Sequence, residues 1–435
     1  LERGRAHLVF PLLILLALGG ALALAGPGGE AAEPAPADSE LSSDELARIS
    51  VESLPSVAHH VEQVRELRFE KLPKPEVVSS DFLNRLGARE LERQSGDLGI
   101  GADQAVGEIT GLFGPSEDIN AAYGSTGDLA AAAYDPKTKR LYVVSDAVAA
   151  NQALVEFVLS HELDHALEDQ NFGIGGGGKL DDDAALADQA LVEGSATDVM
   201  IEFAARFLNP LELLAATQTI DEGAGDVPKA FVDQLTWTYL GGRKYIQALR
   251  DYAGGWKLVD YALSDRPPAT TEQVLHPRKY VLDERAEPAP IDGTELREHG
   301  WLLADRNVIG ELPTDYLLRV GVDPDEAKAA AAGWNGDRYE LWRNDIAPGA
   351  CEYPCRADLV LAAKWMWDTP PDAAEFDQAV GAYVEDGLNG EESADDVWQV
   401  EGGYVALMTG DRESALVFAP DAELARSVAA AQRAK

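Results

Sequence analysis

The sequence predicts an α+β fold in two parts: a mainly helical part with a small sheet over residues 41–286, and a smaller α+β part over 287–435. Three observations predict it. Residues 149–170 and 184–206 repeat apolar side chains at helical spacing, and each stretch carries ionisable residues on its apolar face. Residues 128–145 and 404–419 alternate like hairpins about turn residues. Between these regions, Glu287-Pro288-Ala289-Pro290 marks a shift in composition that suits a boundary. With 435 residues and 46% hydrophobic content, the chain can build two or three domains with sizeable cores.

From the N-terminus, Arg3 and Arg5 precede an apolar run over about residues 8–25 that ends in small-x-small triplets at 21–23 and 23–25. Residues 1–26 therefore predict a signal peptide or an N-terminal membrane anchor, and a protein outside the cytoplasm, secreted or anchored. No cysteine follows the run, which argues against a lipid anchor. Residues 27–40, rich in Pro, Ala and Glu, predict a disordered linker. Ser43-Asp44-Glu45 suits a helix start, with the helix reaching about residue 65 and a break expected near Pro55. Residues 67–72 read as a strand, and Ser79-Ser80-Asp81 caps a helix to about residue 93. Residues 129–134 and 140–144 read as a hairpin across the turn 135–139.

The next stretch carries the chemistry. In His161-Glu162-Leu163-Asp164-His165 the two imidazoles are one helical turn apart, so they can grip one metal ion, and Glu162 sits beside it to handle a proton. Leu154, Val158, His161, His165 and Phe172 share a face, which turns both imidazoles inward. The helix over 184–206 presents Leu186, Ala190, Glu193, Thr197, Met200 and Ala204. An unpaired carboxylate on that stripe is costly to bury, and a metal ion would relieve the cost. Zinc takes three protein ligands and leaves one position open, so Glu193 fits as the third. A sheet edge beside this helix is the natural place for an extended peptide to pair. Residues 173–178 read as a flexible connector, and Asp181-Asp182-Asp183 as solvated acid with no calcium-loop pattern behind it.

Residues 209–262 are helical in pattern, with interruptions expected at Gly241-Gly242 and Gly254-Gly255. His276 is held between a helical turn and Pro277. Beyond the boundary, helices are expected over 301–319, 324–332, 372–384 and 421–435. Strands are expected over 338–343, 359–367, 404–409 and 415–419. Trp334, Trp342, Trp365 and Trp367 suit its core. Cys351 and Cys355 suit a local disulfide or two thiols rather than a metal site, since no further His or Cys lies near. A net charge of −40 argues against a nucleic-acid partner and against an electrostatic hold on anionic lipid, leaving membrane contact to the N-terminal segment alone.

The His161–His165 motif, followed by Ala190-Leu191-Val192-Glu193-Gly194-Ser195-Ala196-Thr197, resembles the gluzincin, or thermolysin-like, zinc metallopeptidases. More narrowly, the chain is similar to bacterial exported metallopeptidases that share three further features. These are the extended run His165-Ala166-Leu167-Glu168-Asp169-Gln170, the Pro-Pro-x-x-Thr-x-Gln-x-Leu-His-Pro segment at 267–277, and Gly-Trp-x-Gly-Asp-Arg-Tyr at 333–339. The resemblance implies a zincin-like catalytic domain over 41–286, one zinc ion per chain on His161, His165 and Glu193, and Glu162 as general base and then acid. It implies a peptide or protein substrate. Asp169 is expected to orient His165. The gluzincin pattern has Asp four residues after the third ligand, whereas Thr197 stands here with Asp198 next to it; Thr197 is expected to take that role. The oxyanion donor is assigned to His276, with Tyr239 and Tyr280 as alternatives. An exported zinc endopeptidase is the expectation. A zinc-stabilised binding or scaffolding protein and a zinc amidase acting on cell-wall peptides are the rivals.

Overall fold

The computed structural model describes residues 42–114, 117–119, 132–145, 151–174, 180–217, 228–344 and 356–433. The predicted N-terminal segment, the linker and both cysteines, Cys351 and Cys355, lie outside the described residues.

Helix α1 (Ser43–Arg65) starts at a capping box between Ser42 and Glu45. It runs through Pro55 without the expected break. Proline in a helix costs about 3 kcal/mol. Leu54, Val57, Ala58 and Val61 are buried around it, and each large apolar side chain returns about 1.5–3 kcal/mol. Residues 67–72 form no strand, and β1 (Pro75–Val78) follows them. Helix α2 (Ser80–Ile109) extends well past residue 93. β2 (Ala132–Asp135) and β3 (Arg140–Val144) are antiparallel, and β1 joins β3 in parallel, giving the order β1-β3-β2 with β2 at an edge.

Two long helices carry the motif. In α3 (Gln152–Phe172), the Asn151 side chain accepts the Leu154 N–H at the start, and Gly173, with φ 78°, ends the helix. In α4 (Asp182–Phe207), Asp181 accepts the Ala184 N–H. Asp183, expected to be solvated, is buried. Its Oδ1 accepts the N–H and the hydroxyl of Thr271, at 3.0 and 2.5 Å. Four shorter helices, α5 (Pro210–Thr217), α7 (Lys257–Ser264), α8 (Thr271–Leu275) and α9 (Pro277–Val281), flank the long α6 (Lys229–Ala253). Helix α6 runs unbroken through Gly241-Gly242. Gly242 marks a close approach instead. A Cβ on Gly242 would lie 2.1 Å from the Ala190 carbonyl oxygen, and one on Gly194 would lie 2.2 Å from the Gly242 carbonyl carbon. Leu159, Leu163, Leu167, Leu191, Val199, Tyr245, Ile246 and Leu249 fill the core among α1, α3, α4 and α6.

After α10 (Thr294–Glu298), β4 (Leu302–Asn307) is a strand where a helix was expected, because it pairs antiparallel with β5 (Trp334–Arg343). Tertiary pairing overrides local propensity here. Helices α11 (Glu311–Leu318) and α12 (Pro324–Ala331) lie between these strands in sequence. β6 (Leu359–Trp367), α13 (Pro370–Ala382), β7 (Glu391–Ala394), β8 (Val397–Val400), β9 (Gly403–Thr409), β10 (Glu413–Ala419) and α14 (Ala422–Ala431) complete the chain. The sheet is antiparallel, ordered β4-β5-β6-β10-β9-β8-β7. The four tryptophans are buried against it. Ala102, Ala105 and Ile109 of α2 enter the same core, so α2 joins the two parts. The architecture is α+β, with helices gathered first and the larger sheet last.

The α4–α6 contact generates a prediction. Gly242→Ala gains up to about 1 kcal/mol in helix propensity. It forces a backbone shift against Ala190 that costs about 1–3 kcal/mol, so the net effect is loss of stability. Chemical denaturation checks it: the midpoint falls in Gly242→Ala and does not fall in Gly381→Ala, a position within α13 where a Cβ meets no neighbour within 4 Å.

Candidate metal centre

His161 and His165 project one turn apart from α3, and Glu193 reaches them from α4. Their ligand-type atoms form a small triangle. His161 Nε2 is 3.0 Å from His165 Nε2 and 3.1 Å from Glu193 Oε2, and His165 Nε2 is 3.5 Å from that oxygen. Ligands at zinc distances of roughly 2.0–2.1 Å and tetrahedral angles lie about 3.3 Å apart. The triangle matches that face, so these residues fit the ion. The imidazole rings are nearly perpendicular, at 88°, and both ligand helices are packed in the core, so little side-chain reorganisation is left to the ion.

Glu162 is fully buried beside this triangle. Its Oε2 accepts the Tyr134 N–H at 2.7 Å, while Oε1 has no partner among the described residues. Tyr134 lies on β2, the outer strand of the small sheet among the described residues, and its N–H on that side is taken by this carboxylate. Sequence reasoning missed Tyr134, since its role is a backbone N–H that only the strand's placement reveals. The Tyr239 ring, from α6, stacks on His161 with centroids 5.8 Å apart.

The electrostatics suit a cation. Burial alone raises the Glu193 pKa and lowers that of His165. Their mutual attraction reverses both, holding Glu193 at about 2 and His165 at about 9. Burial also raises Glu162.

The expected supporting residues are placed differently. Asp169 does not orient His165. Its Oδ2 accepts the Tyr134 hydroxyl at 2.7 Å and Lys139 Nζ at 2.6 Å, so it ties the β2–β3 hairpin to α3. Asp198 points away into a cationic group, accepting from Arg243 Nε at 3.1 Å, Gln247 Nε2 at 3.1 Å and Arg250 Nη1. Thr197 is buried with its hydroxyl unpartnered, and the Nδ1 atoms of both histidines likewise have no hydrogen-bond partner among the described residues. Helical rotation explains the split: Asp169 and Asp198 leave their helices on sides already claimed by the hairpin and by α6.

His276 is committed elsewhere. Its Nε2 meets Glu311 Oε1, at the first residue of α11, at 2.8 Å. Next to it, Lys279 Nζ lies 2.6 Å from Glu272, 2.8 Å from Glu284 and 2.7 Å from Asp368. These three carboxylates are close enough to share an ion, but the chain supplies its own cation there. The segment at 267–277 is thus part of a joint to the second part. Tyr280 donates its hydroxyl to the Arg266 carbonyl at 2.8 Å and packs edge-on against Tyr245. Of the three oxyanion candidates, Tyr239 is the one in contact with a ligand histidine.

Comparison with known families finds one match, to a domain of unknown function (DUF8575), over residues 301–429. That span holds the seven-stranded sheet and contains neither ligand helix. No curated protein and no solved structure matches the chain.

The joint is sensitive to pH. The hydrogen bond to Glu311 raises the His276 pKa above its ordinary value of 6.5. A raised folded-state pKa gives stability that is full below the unfolded value and fades as pH rises through the folded one. The loss of thermal stability in His276→Gln is therefore larger at about pH 6 than at about pH 9. Melting curves of both proteins at the two pH values check it; an equal loss at both removes the charged pair from the account.

Proposed function

We propose that the chain is an exported zinc endopeptidase, with His161, His165 and Glu193 holding one zinc ion and Glu162 moving the proton. The observation that carries this reading is the triangle of ligand atoms at tetrahedral spacing beside a buried carboxylate with a free oxygen. Zinc, when bound, polarises the scissile carbonyl and acidifies the water beside it. Glu162 takes the proton of that water at Oε1 while its Oε2 stays on the Tyr134 N–H. Water oxygen bonds to the carbonyl carbon, the C–N bond breaks, and Glu162 hands its proton to the departing amine. Tyr239, against His161, donates to the developing oxyanion in place of His276. An extended peptide entering beside β2 would bring its backbone past Glu162. The apolar run after Arg3 and Arg5 supports export.

One observation favours a second reading, a zinc-stabilised scaffolding protein. His161, Glu162 and Glu193 are 0% exposed and His165 is 1%, so the centre is sealed from solvent, as a site that serves only folding can be. A structural site has no use for Glu162, so that residue separates the two readings.

The test measures bound zinc and cleavage of an unfolded protein, in wild type and Glu162→Gln. The expected outcome is about one zinc in each, with the variant's rate lower by at least about a hundredfold. Zinc in both with cleavage in neither selects the scaffolding reading. His165→Ala and Glu193→Ala are expected to lose the ion, and full zinc retention by Glu193→Ala would move the third ligand elsewhere.

A further inference from the structure

Behind the ligand triangle lies a fully buried polar chain. Glu168 Oε1 accepts Arg65 Nε at 2.9 Å and the Ser195 hydroxyl at 2.6 Å. Arg65, Glu168 and Ser195 are each 0% exposed. The guanidinium is held in turn by Asp260, at 2.7 Å, and lies over the Trp256 ring at 4.2 Å. Three helices thus meet on one carboxylate: α1 through its last residue, α3 through Glu168, and α4 through Ser195.

The position of this junction matters more than its strength. Glu168 follows His165 by three residues, about 4.5 Å of helix rise, and Ser195 follows Glu193 by two, about 3 Å. The Ser195–Glu168 hydrogen bond therefore pins α4 to α3 within one turn of ligands on both helices. Sliding α4 by a single residue would carry Glu193 about 1.5 Å along the axis, enough to spoil a triangle whose sides are 3.0–3.5 Å. An apolar trio of similar volume would be about as stable as this buried ion pair. What the apolar trio would lack is a fixed register, because leucine and alanine on two crossing helices tolerate small slides. Register is the use of buried polar groups that is best attested.

We propose that the Arg65–Glu168–Ser195 chain is a positioning device that sets the axial register of α4 against α3, and so preforms the three-ligand triangle for its metal. The proposal rests on the metal-centre reading above. Ser195 delivers the register, Glu168 receives it, and Arg65 fixes the Glu168 rotamer from α1.

The test uses the full chain with zinc as the probe. Ser195→Ala removes one hydroxyl and leaves Glu168 on Arg65, so the fold is kept. Asp260→Asn weakens the outer end of the same chain without touching the α3–α4 link, and serves as the structural control. Ser195→Thr keeps the hydroxyl and serves as the rescue. Zinc affinity is read by competition with a chromophoric chelator, ligand geometry by the visible absorption of the cobalt(II) form, and stability by melting of the metal-free protein. Ser195→Ala is expected to bind zinc roughly tenfold or more weakly, as when partners behind a metal ligand are removed, with an altered cobalt spectrum. Asp260→Asn and Ser195→Thr keep wild-type affinity and spectrum. Wild-type affinity and spectrum in Ser195→Ala overturn the proposal and leave the chain a stability element. If wild type itself binds no zinc, or binds it unchanged in His165→Ala, the metal-centre reading fails first.

Discussion

The structure depends on four ionisable side chains, His161, Glu162, His165 and Glu193, being enclosed where α3 and α4 cross. Burying an unpaired charge costs several kcal/mol, so such a cluster persists only if its members satisfy one another or share an ion. They do the first in part: Glu193 faces both imidazoles, and Tyr134 gives its N–H to Glu162. The geometry suits the second. Much of the surrounding fold serves this enclosure. Glycines at 194 and 242 let α6 press onto α4, and α6 in turn lays Tyr239 on His161. The β2–β3 hairpin is latched to α3 through Asp169, which holds both Tyr134 and Lys139.

Helix α4 also connects the centre to the second part of the chain. Its first turn holds Asp183, whose carboxylate is held by Thr271 and packs against Gly310 so closely that a Cβ there would lie 1.9 Å from Oδ1. Gly310 also needs the freedom of glycine for its backbone, with φ at 91°. Its N–H, with that of Ile309, is bound by Asp337 of β5, which also accepts Trp334 Nε1. Hydrogen bonds and one close contact thus lead from the large sheet to the start of the helix that carries Glu193. With the pairs His276–Glu311 and Lys279–Asp368, they join the region matching the family of unknown function to the helical part of the chain.

The sequence made the local parts of this legible and left out the partners. The spacing of His161 and His165 is a property of one helix, and Glu193 stood out as a charge on an apolar stripe, so both could be read without the fold. Asp169, Asp198 and His276 bond away from the triangle for a common reason. Each has a polar side chain whose partner is fixed by tertiary packing: Lys139 and Tyr134, Arg243 and Arg250, and Glu311. The same limit explains Pro55 and Gly241-Gly242, which read locally as breaks and are carried through by packing. It explains β4 too, whose pairing with β5 makes a strand of residues that look helical alone.

The contrast between Asp198 and Glu162 bears on what the centre is for. Both are buried carboxylates on helices that bear ligands. Asp198 is fully occupied by cationic and amide donors, as a structural carboxylate in a packed interior should be. Glu162 has one backbone donor and a buried, unpartnered Oε1 next to the ligand triangle. A scaffold would be more stable with an apolar residue there, because an oxygen left without a donor loses its hydration and gains nothing in return. Beside a metal ion held as proposed, an oxygen left free is, by contrast, what proton transfer to and from a peptide requires. In the proposed enzyme, Oε1 is therefore the atom on which proton transfer rests.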